Sequence, residues 1–257
     1  MSSNDARPWP DGIGRRVVDQ IDSTNAAGLQ SFPNPGERGF WLMARRQTNG
    51  RGRQGRPWID PLGNFAASLC FVESLPTSQA SLRSFAAAIA LMETLGRITN
   101  QPQSFALKWP NDVLLNGGKL AGILLESSGH GQQVDRLCIG VGVNLIAAPK
   151  PEDLPDGALK AVSLLAQTGT RLEPEDLLDQ LAPALDHWDQ RLRTEGFEPI
   201  KQAWLAAAAR LGEDVEVFDG KRTLTGTFET ISDDGSLVVR DGLMRHRIQS
   251  GDVRFPS

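Results

Sequence analysis

The chain has 257 residues, 40% of them hydrophobic and 23% charged, with a formal net charge of -4. This length and composition describe an ordinary globular protein of one large domain, or one large and one small, and exclude a disordered chain. The net negative charge argues against non-specific binding to DNA or to a membrane surface as the main task. No run approaches the roughly 18 apolar residues of a membrane span, and the N-terminus lacks the apolar core of a signal peptide. Cys70 and Cys138 each lie within an apolar run, which reads as two reduced core thiols in a cytoplasmic protein. His130, His187 and His246 are scattered, so neither a metal cluster nor a histidine-activated nucleophile is indicated.

In chain order, residues 1–16 are rich in proline, glycine and polar residues and read as a flexible arm. "RRVVDQI" is the first predicted strand, and "DSTNAAG" starts a short helix capped by Asp22, Ser23 or Thr24. "FWLMARRQ" is a second strand and "GNFAASLCFVE" a third. The next segment has apolar residues at Leu82, Phe85, Ala86, Ile89, Met92, Leu95 and Ile98, the spacing of an amphipathic helix with Thr77 or Ser78 as cap. In "KWPNDVLLNGGKLAGILLE" a Pro-Asn-Asp bend and an Asn-Gly-Gly turn separate short strands, a hairpin that puts Lys108 and Lys119 on adjacent strands. On simple alternation Lys119 shares a face with Ala121 and Ile123. A lysine there needs an anion, which is either Asp112 or a ligand. "DRLCIGVGVNL" adds a strand whose Gly140 and Gly142 admit another backbone or a ligand. Two helical segments follow, the first kinked or split at Pro183. Past Gly212, short alternating runs between Asp-Gly turns describe a barrel-like module of about five strands.

The stretch "GRGRQGRPW", Gly50 to Trp58, gathers positive charge on flexible backbone in an acidic protein. Glycines expose backbone N–H groups, and arginines offer planar donors matched to carboxylate and phosphate. The stretch lacks the Gly-Lys-Ser/Thr end of a phosphate loop, and its glycine spacing precedes a strand where a dinucleotide fingerprint precedes a helix. A solvated loop, a nucleic-acid contact and a loop closing on a small anion all remain open on composition alone.

Taken together and in order, "DSTN", "RRQTNGRGRQGRPW", "KWPNDVLLNGGKLAGILLE" and "IGVGVNL" resemble the biotin protein ligases, the biotin–[acetyl-CoA carboxylase] ligases, in the form without a DNA-binding domain. The resemblance covers about residues 17–145 and extends more loosely through "AVSLLAQTG" and the β tail. It implies an α/β (α+β) catalytic domain with a mixed sheet over 17–211 and a small SH3-like β-barrel domain over 212–257. It implies synthesis of biotinyl-5′-AMP from biotin and ATP with Mg²⁺, then transfer of biotin to one lysine of a biotin carboxyl carrier protein domain of a carboxylase. It places Ser23, Thr24, Asn25 and Gln47 around the biotin head group. Gly50, Arg51, Gly52, Arg53 and Gly55 form the loop over the adenylate, with Arg56 and Trp58 at its end. Lys119, with Gly122 beside it, holds the biotin carboxylate and then the anhydride oxygens, while Lys108, Asn111 and Asp112 shape the phosphate side and Asn144 lies near the nucleotide. The metal ligands are not identified, Asp112 being the best acidic candidate. On this reading the loop is mobile when empty and ordered by its ligand. Some relatives cover the adenine with a tryptophan where this chain has Ala161. Trp109 reads as a packing residue, and Arg245 and Arg247 as a solvated edge rather than part of the site. Only about 16 residues precede the first strand, against the roughly 50–60 of a DNA-binding module, so no DNA partner is expected. A homodimer stays open, and a lipoate or octanoate transferase of the same architecture is the competing enzyme.

Overall fold

A computed structural model describes residues 7–154 and 157–256. In chain order the first part comprises β1 (Ile13–Val18), α1 (Thr24–Gln30), β2 (Gly39–Ala44), β3 (Phe65–Pro76), α2 (Thr77–Thr99), β4 (Phe105–Lys108), β5 (Asp112–Leu115), β6 (Gly118–His130), β7 (Gln133–Val143), α3 (Leu164–Thr168), α4 (Pro174–Glu195) and α5 (Glu198–Ala206). The second comprises β8 (Asp214–Phe218), β9 (Thr223–Ile231), β10 (Leu237–Asp241), β11 (Met244–Ile248) and β12 (Asp252–Arg254). The first seven strands form one mixed sheet in the order β1-β2-β3-β7-β6-β5-β4, parallel between β1 and β2 and antiparallel elsewhere. The last five strands form an antiparallel sheet in the order β11-β10-β9-β8-β12. This is the mixed sheet followed by a small all-β domain that the sequence predicts.

Period-two alternation sends the central strands' side chains to two different places. Trp41, Met43, Ala67, Leu69, Ile139 and Val141 face the main core, which α2, α4 and α5 close. Phe40, Leu42, Cys70 and Cys138 point the other way, under Ala27 and Leu29 of α1. Helix α2 is buried on more than the predicted stripe: Ala87, Ala88, Ala90 and Leu91 are also enclosed, because α4 and α5 pack along its flanks. Each fully buried Leu or Trp of this core contributes about 1.5–3 kcal/mol of transfer free energy. The two sulfurs sit 2.9 Å apart as free thiols, and Cys138's hydrogen bond together with burial pushes the Cys70 thiol pKa up, which keeps it unreactive.

Four expectations need correction. Strand β1 begins at Ile13, inside the expected arm, and Trp9 donates its indole N–H to Ile13 O at 2.6 Å and packs on the core; the arm's residues 1–6 lie outside the described residues. Helix α2 follows Pro76 with no side-chain cap, and the Thr77 N–H and hydroxyl both donate to Gln132 O instead. Helix α4 is not split: it runs through Pro183 as one element, its apolar face held by Leu178, Leu181 and Leu185 in the core. Lys108 and Lys119 lie on β4 and β6, which are not adjacent, with β5 and its Asp112 between them.

The β domain is bound to the larger domain by a shared core. Trp204 of α5 meets Phe85 and Phe228 edge-on, at centroid distances of 5.5 and 6.4 Å. Trp109 is buried and donates its indole N–H to Gly235 O at 3.0 Å, so it is the packing residue expected, and what it packs is the domain interface. This docking brings β12 to the rim of the cleft described next.

Candidate active site

The sheet face under α1 is apolar only at its β2 end. Toward β6 it carries Ser68, Gly140, Gly142 and Gly122, and the three glycines lie in the floor of a cleft of about 470 Å³. The glycines are required by side chains rather than by the backbone or ligand that the sequence suggests. A Cβ on Gly140 would lie 2.6 Å from Asn25 Oδ1, and one on Gly142 2.6 Å from the Trp58 ring. Asn25 and Trp58 therefore lie flat on the strands.

A polar pocket closes one end. Ser23 caps α1, its hydroxyl accepting from Ala26 N. Gln47 Oε1 accepts from the Thr24 backbone N–H and hydroxyl at 2.9 and 3.1 Å. Asn25 Nδ2 donates to Leu124 O at 3.0 Å. Ser68, fully buried on β3, has its hydroxyl 2.7 Å from both Thr24 Oγ1 and Asn25 Oδ1 and ties the two together. Behind Gln47, Asp60 accepts from the Gln47 backbone N–H at 3.0 Å while its other oxygen is buried without a partner. Burial pushes the Asp60 carboxyl up to about 6.

The other end is cationic. The register between β5 and β6 slips by one residue between Val113 and Leu114, and Leu120 is the extra residue of this bulge. The bulge reverses the facing of Lys119. It turns away from Ala121 and Ile123, which are in the core, and its side chain lies above Gly122 on the cleft face. Lys119 Nζ is 2.7 Å from Asp112 Oδ1, and Lys108 Nζ is 3.9 Å from Asp112 Oδ2. Asp112 is thus the anion that lies between the two ammoniums. Burial depresses the Lys108 pKa, and the Asp112 charge works against that shift.

The Gly50–Pro57 segment lies over this end. A bridge between Arg51 and Pro57 and the Gly52 N to Arg56 O bond of 2.7 Å close it into a compact loop. A short turn with Gln54 at φ 57 and Gly55 at φ 72 forms its tip, and only the second residue is suited to that conformation. Arg51 pairs with Glu126 of β6 at 3.1 Å. Arg53 donates to Gly251 O at 3.2 Å and to Ser250 Oγ at 3.3 Å, and Arg56 pairs with Asp252. Burial lowers the Arg53 pKa, with the Asp252 and Asp112 charges acting against it.

Ser23, Thr24, Asn25, Gln47, Arg51, Gly52, Arg53, Arg56, Trp58, Lys108, Asn111, Asp112, Lys119, Gly122 and Asn144 all line this one cleft. Gly50 and Gly55, at the loop's base and tip, do not. Asn111 is committed to β6, donating its amide to Ile123 O and accepting from Ile123 N. Asn144 Oδ1 is buried without a partner. Ala161 bridges Lys119, and the wall beside it combines Pro149, Leu154 and Leu159 with the carboxylates Glu152 and Asp153.

Two family models match the chain in succession. The Biotin/lipoate A/B protein ligase family matches residues 17–144, and the Biotin protein ligase C terminal domain matches residues 211–255. The chain is 46% identical over 239 residues to the biotin–[acetyl-CoA-carboxylase] ligase of Paracoccus denitrificans, covering 93% of this chain and 99% of that protein. The chain belongs to the biotin protein ligase family. It is 30% identical over 252 residues to the bifunctional ligase/repressor BirA of Bacillus subtilis, covering 95% of this chain and 75% of that protein. The solved biotin protein ligase from Aquifex aeolicus in complex with biotin and ATP superposes with a TM-score of 0.76 at 27% identity, covering 93% of this chain and 97% of that one.

Two features of this cleft carry no clear signal in the sequence. Ser68 is hidden in "AASLCFVE", where its only mark is polarity in an apolar run. The contribution of the β domain comes from Asp252, Val253 and Arg254. Arg245 and Arg247, the residues weighed for that role, pair instead with Glu229 and Asp234 on the domain's own surface.

Proposed function

We propose that this cleft binds biotin with its ureido ring at Thr24, Asn25 and Gln47 and its carboxylate at Lys119, and that ATP lies beyond it under the arginine loop. The observation that carries the reading is the polarity of the cleft: a neutral hydrogen-bonding pocket at one end joined to a cationic end where Lys119, Lys108, Arg53 and Arg56 converge. A ureido ring offers both N–H and C=O, which suits the amides and hydroxyls of the first end. An aliphatic carboxylate suits the second.

In the first step a biotin carboxylate oxygen attacks the α-phosphorus of ATP. The bond to pyrophosphate breaks, leaving the mixed anhydride biotinyl-5′-AMP. Two anions meet in that step, and cations aimed at the developing charge offset their repulsion. Lys119 is held there by Asp112, and the loop arginines keep N–H donors on the cleft side, each guanidinium having five. Trp58 forms a wall over Gly142, and Asn144 presents its free carbonyl oxygen. In the second step the neutral amine of a carrier lysine attacks the acyl carbon, AMP leaves, and the amine's proton goes to solvent or to a nearby acceptor. The carrier is a biotin carboxyl carrier domain of a carboxylase.

Mg²⁺ enters with the triphosphate as part of the Mg-ATP substrate. Among the described residues no three His, Cys, Asp or Glu side chains are grouped to hold a metal, and Asp112 is already ion-paired with Lys119. These residues do not fit a resident metal centre.

The loop's arginines are turned into the cleft and toward Glu126 and Asp252, which favours a small-ligand loop over a DNA-binding arm. No described helix is long and apolar enough to cross a membrane. ATP use and the free thiols support a cytoplasmic site of action. Calorimetric titration tests the substrate assignment: biotin binds, and octanoate and lipoate do not compete. Displacement of biotin by octanoate at similar concentration would reassign the cleft to acyl transfer.

A further inference from the structure

The loop's two central arginines are held by the other domain. Three consecutive residues at the start of β12 receive them. Asp252 accepts from Arg56, the Gly251 carbonyl accepts from Arg53, and the Ser250 hydroxyl accepts from Arg53 at 3.3 Å. Gly251 is itself fixed: a Cβ there would lie 2.8 Å from the Phe218 carbonyl, so the chain passes close against β8. β8 and β12 pair in register from Asp252 to Arg254. The receiving segment is therefore a rigid strand end, whereas the loop it receives is short and glycine-rich.

We propose that Asp252, with the Ser250 hydroxyl and the Gly251 carbonyl, is a positioning element of biotin activation, latching the Gly50–Pro57 loop over the cationic end of the cleft. This rests on the ligase reading of the cleft. Ordering eight loop residues is costly in backbone entropy, and a loop held in place by its own protein needs fewer ligand contacts to close. Asp252 acts on the loop through its ion pair with Arg56, and its charge also faces Arg53 and Lys108. Arg56 spends a single nitrogen on Asp252 and Gln54, so its remaining N–H groups stay available to a phosphate or carboxylate. The latch also gives the β domain a task in the chemistry. Any displacement of β12 loosens the loop that retains the adenylate.

The decisive experiment is limited proteolysis with trypsin of the full-length chain, without substrates. In Asp252→Ala, cleavage after Arg51 and Arg53 accelerates by about tenfold, because cleavage follows the population of the open loop. Asp252→Glu keeps the charge and restores most of the protection. Unfolding midpoints of all three proteins stay together, since the ion pair is partly exposed. In parallel, Asp252→Ala raises the KM for ATP and speeds loss of biotinyl-AMP by about tenfold, while kcat at saturating ATP changes less than threefold. Equal cleavage of Asp252→Ala and the parent overturns the latch, whatever the activity. Faster cleavage in a protein that never releases pyrophosphate upholds the latch and overturns the ligase reading instead.

Discussion

Replacing Lys119 by methionine separates its chemical role from its structural one. Lys119 is paired with Asp112 at 2.7 Å, and a third of its side chain is exposed. Methionine keeps the stem and removes the ammonium. Asp112 then still has Lys108, whose Nζ is 3.9 Å from its other oxygen, so it is not left as a lone buried charge. The expected loss of stability is about 1 kcal/mol, the scale of a partly exposed pair. The loss of rate is much larger. Removing one group aimed at developing charge costs about 10²–10³ in rate, or about 2.7–4 kcal/mol. Pyrophosphate release at saturating biotin and Mg-ATP, measured beside the urea midpoint, reads both quantities. A variant that releases pyrophosphate within about threefold of the parent rate refutes the assignment. So does one that loses more than about 3 kcal/mol of stability while its folded fraction keeps full activity, since that marks a structural ion pair.

Asp112→Ala behaves in the opposite way. It leaves Lys108 buried beside Lys119 with no anion between them, so stability falls by about 3–5 kcal/mol, checked by urea unfolding; a loss below about 1 kcal/mol contradicts this account of the lysine pair. Ser68→Ala removes the hydroxyl that ties Thr24 to Asn25, and calorimetry shows biotin affinity reduced by about 5–30-fold with ATP affinity unchanged; unaltered biotin binding removes Ser68 from the pocket. Asp60, with its carboxyl at about 6 against an ordinary 3.8, gives a dependence of stability on pH. The fold favours its protonated form, so this contribution is complete below about pH 4 and is lost as pH rises to about 6, for a total of about 2–3 kcal/mol. Asp60→Asn abolishes it, and the stability difference between variant and parent grows by that amount from pH 4 to 7; parallel curves would exclude Asp60 as the source.

The parts of the architecture written in local pattern were legible. The Asn-Gly-Gly turn appears as a hairpin with Asn116 at φ 49 and Gly117 at φ 78, and Ser23 caps the short helix that follows the first strand. The alternation of "FWLMA" and "AASLC" forms the centre of the sheet, and the Asp-Gly turns mark out the β tail. The orientation of Lys119 was not legible. Alternation assumes an unbroken register, and the bulge at Leu120 arises from pairing with β5, a partner that the single strand does not reveal. Nor was the role of Asp252, nearly two hundred residues from Arg56 in sequence, since long-range ion pairs leave no periodic trace. The loop's arginines read as anion-seeking, but composition alone does not show that two of them are received by carboxylates of the chain itself, Glu126 and Asp252.

The central claim is that this cleft activates biotin and passes it to a carrier lysine. Purified protein is incubated with biotin, Mg-ATP and a biotin carboxyl carrier domain, and both pyrophosphate and the carrier's intact mass are followed. The account predicts pyrophosphate release that needs biotin, and a carrier heavier by one biotinyl group on a single lysine. Pyrophosphate release that is indifferent to biotin, or a carrier left unmodified while a lipoyl-domain substrate gains an acyl group, would contradict it.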